Sequence, residues 1–132
     1  MGDRVIEVET KRPVEILDIT NLVQNAVAVS KVDSGIVLVY ALHTTTALVV
    51  NEAEPDLLQD LVDAMAKIVP KGAGYRHDRS DGNAHAHLQA ALLGNSVVLP
   101  VEGGRPVLGT WQKVLFLELD GPRHRRVYVK VM

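Results

Sequence analysis

The last third of the chain constrains the fold most. From Ser96 onward four strand-like segments follow one another: Ser96 to Val101, Arg105 to Leu108, Lys113 to Leu119 and Arg126 to Val131. Glu102-Gly103-Gly104 and Asp120-Gly121-Pro122 supply turns between them. Strands grouped in this way, with the helical patterns lying earlier, point to an α+β fold with a largely antiparallel sheet or sandwich rather than a doubly wound one.

The earlier segments supply the rest. Arg4 to Thr10 alternates, with Ile6, Val8 and Thr10 on one face and Glu7 and Glu9 on the other, as a half-buried strand does. Pro13 interrupts it. Asp18 to Lys31 reads as a helix capped by Asp18 or Thr20, with an apolar stripe of Leu22, Val23, Ala26 and Val27. After Gly35, Ile36 to Leu42 is continuously apolar, the pattern of a fully buried strand, and the β-branched Thr45 to Val50 is a candidate partner for it. Pro55 opens a second helix whose Leu58, Leu61, Val62, Met65 and Ile68 recur at helical spacing. Pro70, Gly72 and Gly74 end it and begin a loop to Asp81. Asn83 is placed to cap a third helix, Ala84 to Leu93, stopped by Gly94. The sum is about seven strands and three helices in one domain spanning 1–132.

Composition narrows the function. A formal charge of −2 offers no electrostatic case for nucleic acid. The locally basic Arg123-His124-Arg125-Arg126 reads as a solvated turn before the last strand, His124 included. Cysteine is absent, so a bound metal would need His, carboxylate, carbonyl or water ligands. The first residues lack the apolar core of a signal peptide, and no run approaches the ~20 apolar residues of a membrane span. A cytoplasmic protein is the default expectation.

Histidine is where the chemistry gathers. Asp81-Gly82-Asn83-Ala84-His85-Ala86-His87 holds two of the five histidines; His77-Asp78 lies just upstream, and His43-Thr44-Thr45 ends an apolar strand. Imidazole is the commonest metal ligand and titrates near neutral pH. Residues two apart on a helix are separated by about 200°, so His85 and His87 share one ion only if that segment is extended. Otherwise one of the two is a ligand and the other packs. The free N–H groups of the same helix start would hold a phosphate.

Carboxylates add to this. Glu54 and Asp56 suit the N-terminus of the second helix, while Glu52 could act as a general base or support a ligand. Trp111 lies in a loop beside Gln112, where it is either core or a pocket wall. Glu118, inside an apolar run, either faces solvent or has a partner.

Taken in order, several segments resemble the YjbQ-type family, also called secondary thiamine-phosphate synthases. They are His43-Thr44-Thr45, Asn51-Glu52-Ala53-Glu54-Pro55-Asp56, His77-Asp78, Asp81 to Leu88, Leu92-Leu93-Gly94, Gly109-Thr110-Trp111-Gln112 and Asp120-Gly121-Pro122-Arg123. The resemblance implies an α+β fold with a β-sandwich, assembled as a homotrimer. It also implies a thiamine-phosphate synthase activity, joining hydroxymethylpyrimidine diphosphate to thiazole phosphate with release of diphosphate. The candidate catalytic residues are Glu52, Asp81 and His87, with the role of His87 left open, and the candidate substrate-binding residues are Thr44, Thr45, Asn51, Asn83, Trp111 and Gln112.

Stabilising a leaving diphosphate is a task for a divalent ion, cationic groups and helix N–H donors. His43, His77 and His85 are the expected ligands of such an ion. A site rich in histidine suits zinc or a similar metal, whereas magnesium, usual for diphosphates, prefers oxygen. A metal-dependent hydrolase and a non-catalytic metal- or ligand-binding trimer are the alternative readings.

Overall fold

The structure, a computed structural model, describes residues 2–132. The chain runs β1 (Gly2–Glu9), β2 (Glu15–Asp18), α1 (Thr20–Ser30), β3 (Gly35–Ala41), β4 (Thr46–Asn51), α2 (Pro55–Ile68), a 3₁₀ turn (Arg76–Arg79), α3 (Ala84–Leu93), β5 (Ser96–Glu102), β6 (Arg105–Pro106), β7 (Lys113–Glu118) and β8 (His124–Val131). Five strands form one sheet in the order β1-β8-β3-β5-β6, and three form another in the order β2-β7-β4. Each strand pair is antiparallel. The α+β sandwich read from the sequence is thus the observed fold, with eight strands rather than about seven.

Two cores hold it together. Between the sheets, Ile6, Val8, Val37, Val39, Val127 and Val129 pack against Leu48, Val114 and Phe116. Val23 and Val27 bring α1 into the same cluster. On the opposite face of the small sheet, Ala47, Leu115 and Leu117 pack against Ala86 and Ala90 of α3, with Leu58 and Leu61 of α2 partly buried beside them. The small sheet is therefore covered on both faces, which is why β7 reads as an unbroken apolar run.

An equally apolar run at β3 has a different outcome. Val37 and Val39 are buried, but Ile36 and Tyr40 point outward from the large sheet and are exposed, so the expected fully buried strand alternates instead. Nor does β4 pair with β3. It crosses to the small sheet, placing Thr46 opposite Glu118 and Asn51 opposite Lys113. The strand β2 lay hidden in the sequence because it is four residues long and follows Pro13 closely. Leu22, assigned to the buried stripe of the first helix, is exposed; Thr20 takes its place inside, its hydroxyl accepting from the Val114 N–H at 2.9 Å. Asp18 does serve the start of α1, accepting from the Thr20 N–H at 3.0 Å. Of the expected strand Arg105 to Leu108 only Arg105–Pro106 pairs.

Candidate functional site

The basic segment before β8 is not a solvated turn. Alternation along β8 turns Arg125 inward, opposite Val8 in the register with β1, and leaves it 4% exposed. Its guanidinium meets the carboxylate of Glu118, which is 0% exposed. Nε donates to Oε1 at 2.8 Å and Nη2 to Oε2 at 2.5 Å, a two-pronged pair. The same Nη2 donates to Thr45 Oγ1 at 2.8 Å, and the Thr10 hydroxyl donates to Glu118 Oε1 at 2.7 Å. Burial alone would raise the Glu118 carboxyl, but hydrogen bonds from Arg125, Thr10 and the Asp120 N–H outweigh it and hold the group below its ordinary value. His124, also expected in solvent, lies on the outer face of β8 against Glu7 and Glu9, and these carboxylates raise its pKa.

Beside this pair the chain turns at Asp120. Asp120 Oδ2 accepts from Asn83 Nδ2 at 2.9 Å and from Arg123 Nη2 at 3.2 Å. Partial burial raises this carboxyl, and the bonds from Asn83 and Arg123 with the charges of Arg123 and Arg125 bring it below its ordinary value. Asn83 therefore stands at the N-terminus of α3 without capping it. The cap comes from Asp78, whose Oδ1 accepts from the Ala84 N–H at 3.0 Å. A carboxylate already occupies the helix start where the sequence placed a phosphate. Asn83 Oδ1 is left buried and without a partner, as is Thr46 Oγ1.

Three histidines converge here. His43 Nε2 accepts from the Arg126 N–H at 2.8 Å, which leaves the hydrogen of the neutral ring on Nδ1. Burial and the Arg125 charge lower its pKa and favour that neutral form. His77 and His87 stack edge to face with ring centroids 4.8 Å apart. Three clefts meet at His87. A polar one of about 360 Å³ is lined by His43, Thr44, Asn83, Asp120, Arg123 and Arg125 among others. A second, about 380 Å³, runs past His43, Thr46, Ala91 and Asn95. The third, about 430 Å³, is largely apolar and lies between Tyr75, His77, Ala84 and Leu88.

Thus the structure brings His43, Thr44, Thr45, His77, Asn83 and His87 together. His85, Asp81, Glu52, Asn51, Trp111 and Gln112 line none of these clefts. Of the two neighbouring histidines it is His87 that faces the site. His85 Nδ1 is buried without a partner. Sequence reasoning missed Asp120, Arg123 and Arg125. The one available signal was an acid at the end of an apolar strand followed by a basic segment, and which arginine points inward depended on the register of β8.

The expected metal set, His43, His77 and His85, does not fit this arrangement. The lone pair of His43 Nε2 is spent on a backbone N–H, and His85 stands apart from the clefts. Among the described residues, no three His, Asp or Glu side chains gather in a way that could hold an ion.

Comparison with known proteins agrees with the fold. A sequence model described as "UPF0047 protein YjbQ-like" matches residues 4–132. The chain belongs to the YjbQ-like UPF0047 family. A UPF0047 protein of Archaeoglobus fulgidus is 58% identical over 127 residues, covering 96% of this chain and 98% of the relative. The UPF0047 protein YugU of Bacillus subtilis is 35% identical over 133 residues, covering 98% of each. Among solved structures, a hypothetical protein of Aeropyrum pernix K1 superposes with a TM-score of 0.96 at 42% identity, over 100% of this chain and 98% of that one. A protein of unknown function from Sulfolobus solfataricus P2, described as YbjQ-like, does so with a TM-score of 0.96 at 39% identity, over 98% and 95%. No helix among the described residues of this UPF0047 protein is long and apolar enough to cross a membrane.

Proposed function

We propose that the two clefts shared by His43 and His87 bind small phosphorylated substrates, and that the protein joins hydroxymethylpyrimidine diphosphate to thiazole phosphate. The observation that carries this reading is the convergence at His87 of cationic and hydrogen-bonding groups with clefts of ligand size. Exposed Arg123, held by Asp120, supplies positive charge for phosphate oxygens, while Arg125 lines the same cleft with its charge balanced by Glu118. His43 presents a neutral N–H donor. The buried, unpartnered Asn83 Oδ1 and Thr46 Oγ1 offer an acceptor and a hydroxyl to a polar ring. The Asn83 amide orientation is set by its bond to Asp120, so Oδ1 is the free atom.

In this reaction the bond between the pyrimidinylmethyl carbon and the diphosphate oxygen breaks, and its electron pair leaves with the diphosphate. The thiazole nitrogen then forms the new bond to that carbon. Donors fixed in advance around the departing charge lower the barrier because they need not reorganise. A homotrimer is the assembly proposed with it, on the family resemblance. No step is assigned to a metal.

The test is direct. Purified protein supplied with both substrates, with and without divalent ions, is assayed for thiamine phosphate. Formation of product that falls in a His87→Ala variant supports the reading. Absence of product under all these conditions, with the protein folded, overturns it.

A further inference from the structure

Residues that the sequence motifs bring forward stand at two opposite ends of the β4–β7 pair. At one end Thr46 faces Glu118, beside His43, Asn83 and His87; at the other Asn51 faces Lys113, beside Gln112 and Trp111. Five residue steps along β4 separate these rows, about 17 Å at the usual rise per residue. Within one chain the two groups do not meet.

The far end carries a knob. Trp111, the only tryptophan, is 70% exposed. Its turn is closed on both sides: the Gly109 N–H donates to Gln112 Oε1 at 2.7 Å, and the Gln112 N–H donates to the Gly109 carbonyl at 3.1 Å. A large aromatic side chain is thus held outward on a fixed support, a poor arrangement for a surface that meets only water. The near end carries a matching hole, the apolar cleft of about 430 Å³ between Tyr75, His77, His87 and Leu88. The charges also match. Glu52, Glu54 and Asp56 follow Asn51 at the far end, whereas Arg76 lines the cleft, Arg79 follows on the same 3₁₀ turn, and Arg123 lines the adjoining polar cleft.

We propose that this cleft receives Trp111 of a second copy of the same chain. Such a contact is head to tail, each subunit giving its tryptophan to one neighbour and receiving one from the other, and it closes when the subunits form a ring. It deepens the functional reading above and rests on that reading's choice of the His87 clefts as the site. The partner's Trp111 then forms an aromatic wall against His77 and His87, beside the polar clefts that hold substrate, and the same contact carries acidic groups to a basic rim.

A single tryptophan makes the test independent of activity. Emission of the native protein is expected to be blue-shifted, as for a buried indole, with a light-scattering mass that is a multiple of 14.4 kDa. Leu88→Glu, at a cleft residue 43% exposed, is expected to shift the emission to that of an indole in water and to reduce the mass to one chain. Trp111→Ala, a surface change, is expected to reduce the mass in the same way if Leu88→Glu does not fold. A native protein with water-like emission, or an assembly unchanged in mass by Trp111→Ala, overturns the proposal whether or not thiamine phosphate is formed.

Discussion

Arg125 and Glu118 form an ion pair that joins the two sheets of the sandwich. Arg125 lies on β8 of the large sheet and Glu118 on β7 of the small one, with donor–acceptor distances of 2.8 and 2.5 Å inside the protein. Removing one partner strands the other charge in the interior. Arg125→Met is therefore expected to cost about 3–5 kcal/mol, and Arg125→Met with Glu118→Leu to cost much less than the two changes added together. Urea unfolding of the two single variants and the double variant measures this; simple additivity would contradict a direct pair.

Gly121 sits against the same carboxylate. A Cβ there would stand 2.5 Å from the Arg12 carbonyl oxygen and 2.7 Å from Glu118 Cγ. The backbone contact has no flexible end to move aside. Gly121→Ala should lower stability by about 1–3 kcal/mol, read from the urea midpoint at unchanged slope.

The start of α3 distinguishes two nearby side chains. Asp78→Ala removes the acceptor of the Ala84 N–H and is expected to cost about 1 kcal/mol. Asn83→Ala removes no cap. It takes a donor away from Asp120, so the Asp120 carboxyl should titrate at higher pH, as followed by carbonyl NMR chemical shifts.

Acid should unfold the protein through these carboxylates. Glu118 and Asp120 lie below their ordinary values of 4.5 and 3.8 when folded, so the unfolded chain takes up protons first as pH falls. Their stabilisation is complete above those values and is lost as pH falls through the lower, folded ones. His43, whose folded pKa lies below 6.5, acts in the same direction at higher pH, because the fold favours the neutral ring. His124, raised by Glu7 and Glu9, acts in the opposite direction near neutral pH, so thermal midpoints are expected to change little there and to decline steeply below pH 4.5. A midpoint that rose as pH fell below 4.5 would contradict the carboxylate assignments.

His87 should matter for turnover more than for folding. It is partly exposed at the meeting point of three clefts and accepts no structural role in the buried ion-pair network. His87→Ala is expected to reduce kcat/KM for thiamine phosphate formation by about 10²-fold, with the thermal midpoint nearly unchanged. Steady-state kinetics with matched melting curves check both parts.

Much of the fold was legible because its signals are local. The end of the helix at Ala84–Leu93 follows from Gly94, and the helix opening at Pro55 and the strand faces of β1 follow from Pro55 and hydrophobic period, signals that involve neighbours a few positions apart. The site was legible in half. The segments around His43, His77 and His87 stood out by residue type, and they do come together. The pairing of His85 with them did not follow, because helical positions two apart diverge by about 200° and only packing decides which one faces the cleft.

The sequence by itself determined most of the elements, their approximate bounds, the α+β class and the family, but not the short strand β2. Tertiary structure decided where equal patterns end up. Two apolar runs of the same character became β3, exposed on one side, and β7, covered on both, according to what packs on the second face. A basic segment that looked like solvent-exposed turn sent Arg125 inward to Glu118 and to Thr45, a residue 80 positions away in the chain. Contacts at that separation depend on sheet register, and register is set by the whole sandwich rather than by any one segment.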